Sequence, residues 1–211
     1  FANNDGRKKY LASLFSAEIV YADDTEKLEG FINEVAGKNI QLSQLDTNWY
    51  ASLHCMGEYK GETVNVRLAL QVQINPDASV QWMIVGAKAN EILHYPKSEK
   101  ENYLLGNAHE LNFMRLFIDN DEKGFFNNLI KKGHGEEHLQ VIKWLVYHGH
   151  LKLFKAKALT FHFFQVPGWV FSIKEYNVKS KNSGWLIYNL EAADQKEKNR
   201  ILEEDLGIYY Q

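Results

Sequence analysis

The sequence predicts an α+β protein built from two antiparallel β-meanders, each preceded by helices. Three observations carry that reading. Residues 63–74 alternate cleanly, with Val64, Val66, Leu68, Leu70, Val72 and Ile74 on one side and Thr63, Asn65, Arg67, Gln71 and Gln73 on the other. A strand buried on one face reads like this. Val166-Pro167-Gly168-Trp169 puts proline and glycine at the two central positions of a type II turn between aromatic runs. Finally, Trp82-Met83-Ile84-Val85 is echoed by Trp185-Leu186-Ile187-Tyr188.

The first helix is expected over residues 5–16, where Tyr10, Leu11, Leu14 and Phe15 share one face. A second follows a capping pair, Asp23 with Glu26, carries the stripe Leu28, Phe31, Ile32 and Val35, and stops at Gly37. The first meander enters at 49–58, turns at Tyr59-Lys60-Gly61, runs through 63–74 and leaves over 79–89. A five-residue loop over 75–79 sets Val72 opposite Trp82 and Leu70 opposite Ile84. The polar stretch 91–107 reads as a connection, so the expected division is 1–92 and 105–211.

Three short helical patterns come next. Asn107 and Glu110 cap Leu111, Met114, Phe117 and Ile118; Phe125, Phe126, Leu129 and Ile130 form the second; Leu139, Ile142, Leu145 and Val146 form the third. The second meander starts near Leu153. Its Pro-Gly turn sets Phe164 opposite Phe171 and His162 opposite Ile173, and a further turn over 181–184 returns through 185–192. The charged tail 194–206 has sparse apolar positions, Ile201, Leu202 and Leu206, and predicts a marginal helix. An offset of 103 positions carries Trp82 to Trp185, and also Val66 to Trp169, Leu68 to Phe171, Leu70 to Ile173 and Ile84 to Ile187. Duplication and chance both account for it at this level. Trp82 and Trp185 share the parity of their aliphatic neighbours and are read as core.

A chain of 211 residues, 45% hydrophobic and 24% charged, can bury a core without disulfides or metals. Its 13% aromatic content favours sheets and concave apolar surfaces. A net charge of −3 gives no general attraction for nucleic acid. Lys152, Lys155, Lys157, Lys174, Lys179 and Lys181 read as a solvated sheet edge. Cys55 is the only cysteine, which excludes an intrachain disulfide and a cysteine-based zinc site. No apolar run is long enough to span a membrane. The chain begins at Phe1 rather than methionine, as a mature exported protein does, so a periplasmic or cell-surface location is expected over a cytoplasmic one.

Helices feeding an antiparallel sheet whose last strands are long and aromatic, ending in Ser183-Gly184-Trp185-Leu186-Ile187-Tyr188, resemble the NTF2-like and cystatin-like α+β proteins. The likeness covers mainly residues 153–192. It implies a curved sheet around a cone-shaped pocket, and with it either a small-molecule site or a protein-binding surface. The first meander, placed before three helices, departs from the usual single-cone order.

Candidate chemistry is sparse. His134-Gly135-Glu136-Glu137-His138 matches H-x-x-E-H, but glycines on both sides of His134 put it at a helix start, where the two acids suit the dipole. His148-Gly149-His150 reads as a helix C-terminus stopped by glycine. The Pro-Gly hairpin brings Glu175 diagonal to His162, a pair able to act as general base in an apolar cavity. Arg67, with His54 on a neighbouring strand, could clamp an anion. Trp169 follows the turn, at the expected mouth of a pocket. The function expected is a non-enzymatic exported binding or protein-interaction module using Trp169, Phe164, Phe171, His162 and Arg67 on an aromatic sheet surface. Its partner is a small apolar or anionic ligand or a protein, with no cofactor, metal or nucleic acid. The alternative, which the resemblance implies, is a small-molecule isomerase, dehydratase or hydrolase working through His162 and Glu175.

Overall fold

A computed structural model describes residues 4–20, 25–92, 125–132, 137–177 and 183–209. Asp23, the helix expected around Leu111 to Ile118, the expected connection over 93–104, His134, Lys179 and Lys181 lie outside the described residues. The elements are α1 (Asn4–Ser13), α2 (Ala17–Val20), α3 (Thr25–Gly37), β1 (Trp49–Tyr59), β2 (Glu62–Ile74), β3 (Val80–Lys88), α4 (Phe125–Asn128), α5 (Glu137–Tyr147), β4 (Leu151–Phe163), β5 (Trp169–Tyr176), β6 (Gly184–Ala192) and α6 (Gln195–Ile201). A π-helical turn, Leu202–Leu206, extends α6. The architecture is α+β with an open antiparallel sheet in the order β3-β2-β1-β4-β5-β6. Contacts divide the chain into two compact units, Phe1–Tyr50 with Thr160–Asn199 and Ala51–Leu159 with Arg200–Gln211.

In the first unit, α3 buries the predicted stripe. Phe31, Ile32 and Val35 join Phe15, Phe171, Ile187 and Leu190 in one core. The helix ends later than expected: the left-handed residue is Asn39 (φ 50°), not Gly37, and the Ile40 N–H donates to the Val35 carbonyl at 3.1 Å. Asparagine tolerates that conformation better than other residues with a side chain. The helix expected over 5–16 stops at Ser13, because Phe15 leaves it for a parallel bridge to Ile187. Phe15 is wholly buried, whereas Tyr10, placed on the same predicted face, is exposed.

The β4–β5 hairpin departs from expectation by one residue. Its turn forms as predicted, with Gly168 at φ 74° and the Trp169 N–H on the Val166 carbonyl at 3.2 Å. The ladder, however, pairs Phe163 with Phe171 and His162 with Ser172. Phe164 is diverted: its N–H donates to the Asn48 carbonyl at 3.0 Å, and the Lys198 ammonium donates to the carbonyls of Phe164 (2.7 Å) and Val166 (2.8 Å). A slip of one residue exchanges the faces of a strand, and so it does here.

In the second unit, β2 and β3 pair as the loop length requires, with Leu70 opposite Ile84 and Val72 opposite Trp82. The β1–β2 turn has two positive-φ residues, Lys60 and Gly61 (54° and 81°), the backbone of a type I′ hairpin. Leu68, Leu70 and Ile84 are buried on the sheet, and α5, which packs on β3, contributes buried Leu139, Ile142 and Leu145. The chain's end, expected to be marginal, is anchored. Leu202, Leu206 and Ile208 are buried, the Arg67 guanidinium donates to the Asp205 carbonyl at 2.8 Å, and Lys88 donates to the Glu204 carbonyl. Gly86 admits this segment, since a Cβ there would lie 2.5 Å from the Gly207 carbonyl oxygen.

Candidate functional site

The register of β4 decides which aromatic side chains share a surface. With Phe163 opposite Phe171 and Phe161 opposite Ile173, Phe161 and Phe163 take the face that holds the core of the first unit. Trp49 from the start of β1 stacks on Phe163, with centroids 5.8 Å apart and planes within 5°, and also meets Phe161 at 6.0 Å. Phe161 in turn contacts Trp185 at 5.1 Å. Phe163 stacks on Phe171 at 4.8 Å, and Phe171 meets Phe31 edge-on at 5.6 Å. The rings thus form a continuous row that starts in the core and ends in solvent. Phe31 and Phe171 are buried, Trp49, Phe161 and Phe163 half-buried, and Trp185 is 41% exposed.

Trp185 is therefore not the core residue its parity suggested. It stands second in β6, opposite exposed Glu175, at the solvent end of the hairpin. Trp82, at the equivalent position of β3, is half-buried. The indole of Trp49 is oriented by its N–H, which donates to the Gln44 carbonyl at 3.3 Å. The loop holding Gln44 is in turn tied to β4 by Gln165, whose amide exchanges hydrogen bonds with the Ser43 backbone at 2.9 and 2.8 Å.

The residues expected to form one site are not brought together. Phe171 is core. Phe164 points to the other side of β4, where it is buried edge-on against Tyr50 at 5.5 Å. Trp169 packs edge-on against Phe31 at 5.5 Å and donates its indole N–H to Glu34 at 2.7 Å, so it closes the core instead of marking a pocket mouth. Glu34 is held below the usual carboxylate range by its bonds to Lys38 and then Trp169. Arg67 belongs to the other unit, committed to Asp205.

The expected His162–Glu175 pair is also displaced by the one-residue slip. His162 lies opposite Ser172, and its Nδ1 is 2.8 Å from the Ser172 hydroxyl. Glu175 lies on the opposite face, beside Trp185. Ser172 is 2% exposed, too enclosed to act as a nucleophile on a bound substrate. The histidines at the end of α5 form a stack with Trp144, 4.3 Å to His148 and 5.2 Å to His150. Among the described residues no group of three or more metal-ligating side chains converges, and no helix is long and apolar enough to cross a membrane.

No protein-family model matches the chain, no curated protein matches it significantly, and neither does any solved structure.

Proposed function

We propose that the chain is a non-enzymatic binding module whose contact surface is the row Trp49–Phe161–Trp185, with Glu175 at its open end. The observation that carries this reading is the exposure of Trp185 at the solvent end of a ring stack that is fixed, at its other end, in the core. Rings held in this way offer large contact area with little side-chain entropy left to lose, which is why aromatic residues dominate binding surfaces. The flat faces suit a planar or apolar ligand, or apolar side chains of a protein partner. Glu175 beside the rings favours a partner bearing a hydrogen-bond donor or positive charge over the anionic ligand that Arg67 suggested. A relationship to NTF2-like or cystatin-like proteins would fit an antiparallel sheet preceded by helices, and it adds nothing to the choice of ligand.

The test uses N-phenyl-naphthylamine, a neutral planar fluorophore, as probe. Its emission is expected to rise on adding the protein and to lose most of that rise in Trp185→Ala and Trp49→Ala, while Trp82→Ala keeps it. An unchanged rise in both of the first two variants would reject the aromatic row as the contact surface.

A further inference from the structure

We infer that the chain consists of two structurally equivalent halves, joined in tandem, that exchange their leading segments. Residues 14–16 of the first half complete the edge of the second half's hairpin, and residues 129–131 of the second half complete the edge of the first's.

The equivalence rests on register. Adding 103 to every residue number converts the β2–β3 ladder into the β5–β6 ladder. Leu68↔Ala87 becomes Phe171↔Leu190, Leu70↔Ile84 becomes Ile173↔Ile187, and Val72↔Trp82 becomes Glu175↔Trp185. Alternation alone requires only that both hairpins be antiparallel. It does not place irregularities, yet these coincide too. Val85 is the extra residue between Ile84 and Gly86, and Tyr188 is the extra residue between Ile187 and Asn189. A bulge interrupts the ladder and can fall at any pair along a hairpin, so one at the same offset in each is a specific agreement.

The edge partners agree as well. Beside its bulge, Ile84 donates its N–H to the Leu129 carbonyl (2.6 Å) and accepts from the Lys131 N–H (2.9 Å). Beside the other bulge, Ile187 donates to the Leu14 carbonyl (2.8 Å) and accepts from the Ser16 N–H (2.8 Å). Each is a parallel bridge, Ile84 with Ile130 and Ile187 with Phe15. A side chain of each docked region also reaches the adjacent strand at equivalent positions: Lys131 bonds Gln71 at 2.7 Å, and Glu18 meets Lys174 at 3.3 Å.

The exchange follows from chain order. Segment 14–16 precedes β1–β3 but docks on β6, and segment 129–131 precedes β4–β6 but docks on β3. The composition of the compact units says the same, since the N-terminal helices share a unit with β5 and β6, while α4 and α5 share one with β2 and β3. Each half therefore supplies the partner for an edge strand of the other, and an edge strand's open backbone groups are the feature a fold has to cover.

Hydrogen exchange on the full chain tests this. Ser16→Pro removes the N–H that reaches Ile187, and exchange is expected to quicken at least tenfold more over β6 than over β3. Lys131→Pro is expected to do the converse. If either variant acts on the strand of its own half, or on both strands alike, the exchange is refuted. A second measurement does not depend on the variants folding. A protease site inserted between residues 100 and 101, cut after folding, is expected to leave two fragments that co-elute at the volume of the uncut chain and part only in denaturant. Separation into two folded fragments in native buffer overturns the inference whatever the variants do.

Discussion

Trp169 and Trp185 belong to one strand pair and have opposite fates. Trp169 fills space beside Phe31 and satisfies its N–H on Glu34, whereas Trp185 presents an open face beside Glu175. Trp169→Ala should therefore lose about 3 kcal/mol of stability, the cost typical of large-to-small changes in packed aromatics. Trp185→Ala should lose less than about 1 kcal/mol, as surface substitutions do. Urea unfolding of the two variants checks the ranking, and equal losses would contradict the assigned faces. At Cys55, burial pushes the thiol up to about 12, so the thiolate that reacts is scarce at neutral pH. Iodoacetamide at pH 8 should leave the native protein unlabelled and label it once unfolded. Sequence parity found the buried side of residues 64 to 72, where every second residue faces one core. It failed at Trp185, because parity says which side a residue takes and not how far along the strand the covering layer extends.

His54 supplies a pH effect at the same scale. Burial, and then the charge of Arg67, lowers its pKa below 6.5. The folded state thus favours the neutral ring, and between the lowered value and 6.5 the unfolded chain binds more protons. Stability from this group is complete above about pH 6.5 and is lost as pH falls from there through the folded value. His54→Gln should flatten the acid side of the stability profile between pH 7 and 5, and an unchanged slope would show that His54 does not contribute to it.

Among the elements, the β4–β5 hairpin shows why the expected site did not assemble. The turn residues were legible, since Pro167-Gly168 does form the turn. The pairing beyond it was not, because Phe164 is drawn off by Asn48 and Lys198, partners 116 and 34 positions away in the chain that no local pattern reveals. His162 and Glu175 part company for that reason alone. Lys198 is the clamp: burial lowers its pKa, and its ammonium satisfies two carbonyls in the stretch that diverts the strand. Lys198→Met keeps the stem and removes the donors, so it should cost about 1–3 kcal/mol, the penalty for leaving buried polar groups unpaired. It should also raise hydrogen exchange across 163–169 more than across β2. An exchange pattern unchanged over 163–169 would mean that Asn48 alone sets the register.

For the whole molecule, the sequence announced the α+β class and both meanders, but only structure places their strands in the order β3-β2-β1-β4-β5-β6. The offset of 103 was visible and undecided, since hydrophobic parity is shared by any two hairpins. Bulges and edge partners are backbone events that side-chain pattern does not encode. Each compact unit is assembled from two separate stretches of the chain, and β1 and β4 each pass from one unit into the other. Neither unit is a continuous stretch that could loosen without pulling on a strand of the other, which favours a single unfolding transition. Ile84→Ala, a wholly buried position in the second unit, should cost about 2–5 kcal/mol. Its effect should be felt equally by a probe in each unit. Indole fluorescence of a variant retaining only Trp169 and of one retaining only Trp82 should therefore report the same lowered urea midpoint. Separate midpoints, with Trp169 unaffected, would mean that the units unfold independently and that the shared strands do not couple them.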